Sequence, residues 1–191
     1  ELGKYSFAHS FCMFFMIISD FGLNTFLVRE LAANRETAQR YLGNVIAMKV
    51  VLSFAMFFAI RWSIGTLGYS QEVIGIVRLM ATVFVGMAFI EWTAAVFTGF
   101  ERLEYESLAR LINKIFVAAF GIYALLHKYS LGAVIATVAL SYVPSGILII
   151  YLLRSRVYPF RPAFELQLWR KMLLRSMPVA LTTIFTMIYF R

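Results

Sequence analysis

Residues 42–68 read LGNVIAMKVVLSFAMFFAIRWSIGTLG, and residues 74–98 follow almost at once with IGIVRLMATVFVGMAFIEWTAAVFT. Each run exceeds the roughly 20 residues that a helix needs to cross the hydrocarbon of a bilayer. Their ionisable groups are few: Lys49 and Arg61 in the first, Arg78 and Glu91 in the second. A transmembrane barrel strand would instead show about 10 residues of alternating polarity, and no period of two is sustained here. These two runs therefore read as a pair of antiparallel membrane helices joined by a short turn.

The same texture extends outward to residues 5–27, 107–127 and 131–153, and a further run opens near Leu173. The chain is 61% hydrophobic and 15% charged, whereas soluble domains are about 45–50% apolar and about 25% charged. The expected fold is an all-α, polytopic transmembrane helix bundle, with about five complete helices and the start of a sixth. Residue 1 is Glu, not Met, and the last run meets the end of the sequence at Arg191, so the sequence is expected to be an excerpt of a longer chain.

Joints between the runs carry helix punctuation. Asn34, Ser70 and Ser130 are N-cap residue types, and Gly68 and Gly99 close apolar runs. Basic residues alternate between the two sides: Arg29, Arg35 and Arg40 join the first two runs, Arg102 leads into the fourth, and Arg154, Arg156, Arg161, Arg170 and Lys171 follow the fifth. Between them, residues 69–73 hold no Lys or Arg and the next turn holds only Lys128. By the positive-inside rule the Arg-rich joints are cytoplasmic. The net charge of +8 thus reports topology, and nucleic acid is not an expected partner.

Residues 154–172 form the one long connection. After Pro162 they set Phe164, Leu168, Trp169 and Met172 on one helical face, which predicts an amphipathic helix on the inner membrane surface. This segment divides a lobe, 1–153, from residues 173–191, the start of the first helix of a second lobe. Pro144 and Pro178 each remove a backbone donor inside a run and predict kinks.

Charges inside a membrane are costly and usually face a bundle interior or a wet cavity. Arg78 and Arg110 lie near helix ends and can snorkel to the headgroups. Asp20, Lys49, Glu91 and Lys114 each lie seven residues from the cytoplasmic end of their runs, a common depth of about 10 Å at 1.5 Å per residue. Two readings stay open for this layer: a polar cavity, or a purely structural set of ion pairs. Arg61 stands apart, toward the outer half. The lone Cys12 reads as a small buried hydrophobe. His9 and His127 lie on different runs, and the sequence holds neither a phosphate-binding loop nor a zinc-type cluster, so no metal, cofactor or enzymatic activity is expected.

The strings Glu1-Leu2-Gly3-Lys4-Tyr5-Ser6, Ser19-Asp20-Phe21-Gly22-Leu23, Val28-Arg29-Glu30-Leu31-Ala32 and Gly99-Phe100-Glu101-Arg102, in that order and followed by Ser176-Met177-Pro178 and Tyr189-Phe190-Arg191, resemble the O-antigen-type polysaccharide-biosynthesis flippases of the multidrug, oligosaccharidyl-lipid and polysaccharide exporter superfamily. That resemblance implies a six-helix lobe lacking its first helix, and alternating access between two lobes in the cytoplasmic membrane of a prokaryote. It implies as substrate an oligosaccharide linked to polyprenyl pyrophosphate, with membrane lipid and polysaccharide polymerase or export machinery as partners. Lys49, Arg61 and Lys114 would then be the bases available to the anion, and Asp20 and Glu91 would gate or couple. Two other readings stand beside it: an ion-coupled multidrug exporter using Asp20 or Glu91, and a non-transporting membrane assembly subunit.

Overall fold

A computed structural model describes residues 2–33, 38–156 and 163–190. Asn34, Arg35, Arg161, Pro162 and Arg191, and the side chain of Arg156, fall outside the described residues. The described chain is helical with no strand: α1 Leu2–Asp20, α2 Leu23–Ala33, α3 Ala38–Thr66, α4 Gln71–Gly99, α5 Leu103–Leu126, α6 Leu131–Arg156 and α7 Leu166–Phe190. Four segments, Arg40–Thr66, Gln71–Gly99, Leu103–Leu126 and Leu131–Ser155, are long and apolar enough to cross a membrane. The protein is a multi-pass membrane protein.

Central α4 packs against α1, α2, α3, α5 and α6. Between membrane helices close packing, rather than exclusion of water, supplies the attraction, so small residues mark the seams. At Gly86 of α4 a side chain would put its Cβ 2.5 Å from the Tyr142 ring of α6. Two buried clusters occupy the two ends. Leu27, Leu31, Leu42, Phe97, Leu153 and Met172 fill the end that carries the Arg-rich joints, and Cys12, Ile60, Ile64, Val77, Met80 and Phe84 fill the other. Cys12 is free and fully buried.

One local expectation differs from the structure. The run at 5–27, read as one crossing, breaks: Phe21 and Gly22 take φ of 48° and 71°, ending α1 and restarting the chain as α2. Gly22 is required there, because φ is left-handed and a Cβ would stand 2.9 Å from the Ser176 carbonyl and 3.0 Å from the Ala180 nitrogen of α7. Helices α6 and α7 are each one continuous helix that includes Pro144 and Pro178 respectively. Around Pro144 the hydroxyls of Ser141 and Ser145 bond back to Val138 O at 2.6 Å and Ser141 O at 3.0 Å. The boundary expected at 172/173 lies inside continuous α7, whose first turns dock on α3.

Ser130 caps α6 as expected, its hydroxyl 3.5 Å from the Ala133 nitrogen. Ser70 precedes α4 in extended conformation without a side-chain cap bond. Gly68, at φ 71°, follows α3 as a left-handed stop. Gly99 is no such stop: it packs against Leu31, and Glu101 takes the positive φ after α4.

Candidate functional site

The break at Phe21 and Gly22 sets Asp20 at the last position of α1, beside α3 and α4. Lys49 of α3 donates its ammonium to the Asp20 carboxylate. The pair is largely enclosed, with side-chain exposures of 11% for Lys49 and 30% for Asp20. Glu91 of α4 joins both around a cavity of about 90 Å³ that Ser19, Asn24 and Ser53 also line. The Asn24 Oδ1 is buried there without a hydrogen-bond partner. Such an acceptor calls for a donor, and the cavity is large enough to admit water or a small polar group.

Glu91 is held from its other side. Arg110 of α5 donates Nη1 to Glu91 at 2.7 Å and Nε to Glu106 at 3.1 Å, and Thr98 donates its hydroxyl to Glu106 at 2.8 Å. Arg110 therefore does not simply snorkel. It bridges two carboxylates between α4 and α5. Lys114, one turn further along α5, is exposed and does not line this cavity. Arg61 also stays away, its guanidinium 5.3 Å from the Phe57 ring on its own helix. Of the common-depth layer, the structure thus brings Asp20, Lys49 and Glu91 together, leaves Lys114 outside, and substitutes Arg110 as the partner of Glu91.

On either side of the small cavity lies a larger, more apolar space. Lys49, Ser53 and Ala88 are shared with a groove of about 330 Å³ between α3 and α4, walled by Val50, Phe54, Phe57, Val85, Phe89 and Trp92. Asp20, Glu91 and Met16 are shared with a pocket of about 260 Å³ that reaches His9, Phe84 and Ala180. His9 sits edge-on to Phe84 at 5.3 Å. Charged side chains thus stand between apolar spaces, an arrangement that can hold the polar end of an amphiphile while its hydrocarbon stays out of water. No group of three or more His, Cys, Asp or Glu positioned for a metal ion occurs among the described residues.

Sequence reasoning missed Asn24, Arg110 and the helix break. For the break a signal was present: Gly22 and Asn24 follow Asp20 closely, and Asp, Gly and Asn are turn-forming types. Pairing between Glu91 and Arg110 had no comparable signal, since it depends on how α4 and α5 rotate against each other.

The sequence matches the family model described as polysaccharide biosynthesis protein over residues 1–191. No curated protein and no solved structure matches it.

Proposed function

The chain belongs to the polysaccharide biosynthesis protein family, and on that premise we propose that it is a flippase that carries an oligosaccharide linked to polyprenyl pyrophosphate across the cytoplasmic membrane of a prokaryote, by alternating access between two helix bundles. One observation carries this reading: Lys49 stands where a small polar cavity meets an apolar groove. An ammonium has three donor protons, and the described contacts of Lys49 direct one bond to Asp20. Its remaining protons can serve a phosphate oxygen while the isoprenoid lies along Phe54, Phe57 and Phe89. Asp20 then acts as the internal anion that holds Lys49 in place between passages, and exchanges with the incoming pyrophosphate.

Both in-membrane acids already hold a cation of the protein, Asp20 that of Lys49 and Glu91 that of Arg110. This favours an anionic cargo over the cationic drug of an ion-coupled exporter, which would need those acids unpaired. Deleting the gene tests the function: lipid-linked oligosaccharide should accumulate on the inner leaflet and surface polysaccharide should fall, with both restored by the full-length gene. Unchanged lipid-linked pools in the deletion strain would refute the reading.

A further inference from the structure

Side chains that the transport reading leaves unused hold the start of α7 to the bundle. Asn44, fully buried on α3, donates its amide to the Arg40 carbonyl at 2.9 Å. Its own carbonyl oxygen accepts the Glu165 backbone N–H at 2.7 Å and the Trp169 indole N–H at 3.1 Å. The Ala163 N–H donates to the Gly43 carbonyl at 3.1 Å. Arg40 forks onto Glu165, with Nε 3.0 Å from each carboxylate oxygen, and Arg175 reaches Glu30 of α2 at 3.2 Å. A fully satisfied buried amide with a bidentate ion pair beside it is a rigid joint. All of these bonds lie at or before residue 175.

At residue 178 the helix changes character. Pro178 has no N–H to give the Leu174 carbonyl. The hydroxyls of Ser176 and Thr182 turn back onto Leu173 O and Pro178 O, at 3.1 and 2.9 Å, a habit that bends helices. Gly22 offers the backbone of this turn a surface without a side chain. Further along, Leu181, Phe185 and Tyr189 are exposed, Tyr189 at 84%.

We propose that residues 163–176 are a fixed part of the bundle formed by α1–α6, and that α7 pivots at Pro178 against Gly22. Conformational exchange then starts inside α7, beyond residue 176. The inference rests on the transporter reading for its purpose, but its test reads distances and needs no transport.

In a Cys12→Ser background, the full-length protein in phospholipid vesicles would carry nitroxide labels in two pairs, Leu108 with Lys171 at one end and Leu125 with Tyr189 at the other. Double electron–electron resonance should give a single narrow distance for the first pair and a broad or split distribution for the second. Pro178→Ala, which restores the missing N–H, should narrow the second pair only. Arg40→Gln or Asn44→Ala should broaden the first. A first pair as broad as the second overturns the fixed joint. A second pair that is single, or that Pro178→Ala leaves broad, overturns the pivot.

Discussion

Lys49 of α3 is bonded to Asp20 of α1 one residue before that helix breaks, so a charged pair and an interruption of the backbone occupy the same depth of the bundle. In transporters, irregular backbone at membrane depth is tolerated where it lines a cavity or is buried in protein. Here it does both: Asp20 faces the polar cavity, and Gly22 is covered by α7.

Breaking this pair from one side should cost stability, because the remaining charge is left without a partner. The figure for a fully buried pair is about 3–5 kcal/mol, and a smaller loss is expected here because Asp20 is 30% exposed. Asp20→Ala and Lys49→Ala should each lower the unfolding temperature in detergent, and the double variant should recover much of that loss. An additive double variant would contradict the pairing.

Gly22 and Gly68 share a φ of 71°, but only Gly22 has atoms within reach of an added Cβ. Gly68→Ala should therefore cost only the left-handed strain, about 1–2 kcal/mol. Gly22→Ala pays that strain and also pushes on α7. Thermal unfolding should rank Gly22→Ala as clearly the worse, and equal losses would remove the argument for close packing at the break.

Arg110→Ala strands Glu91 and Glu106, whereas Lys114→Ala removes an exposed charge. Membrane yield and polysaccharide complementation should fall for Arg110→Ala and stay near wild type for Lys114→Ala. The opposite ranking would restore Lys114 to the functional layer.

Acid should loosen the joint at the start of α7. The hydrogen bonds from Arg40 hold the Glu165 carboxyl below its usual range. A carboxylate with a depressed folded value stabilises above the unfolded value, near pH 4.3, and that contribution is lost as the pH falls through the folded value. The Leu108–Lys171 nitroxide distance should broaden as pH drops below about 4.3, and Glu165→Gln should leave it broad at every pH. A distance that stays narrow at low pH would show that the ion pair does not hold the segment.

Sidedness can be read with impermeant thiol reagents in a Cys12→Ser background. Cysteine at Gln71 should label in intact cells, and cysteines at Glu104 and Ser155 should not, as the positive-inside rule expects of the Arg-rich joints. The reverse pattern would invert the topology.

Much of the fold was legible because lipid imposes long apolar runs and leaves punctuation at their ends. The span from Leu131 and its Ser130 cap needed only local chemistry. What escaped were features decided by neighbours. The break after Asp20 had a local signal in Gly22 and Asn24, but the approach of α7 to Gly22 had none, and neither did the continuity of α7 through Pro178. The site shows the same division. A count of depth from the helix ends brought Asp20, Lys49 and Glu91 to one level, but depth says nothing of which way a side chain turns, so Lys114 and Arg110 were exchanged.

The most direct test of the account is translocation by variants that fold but differ in the charge at position 49. In membrane vesicles with matched amounts of full-length protein, movement of a lipid-pyrophosphate-linked sugar should persist in Lys49→Arg, which keeps a cation for the phosphate. It should be lost in the double variant Asp20→Ala with Lys49→Ala, where the neutral pair leaves no stranded charge to disturb the fold. Wild-type translocation by that double variant would show that Lys49 does not carry the substrate and that the ion pair is structural only.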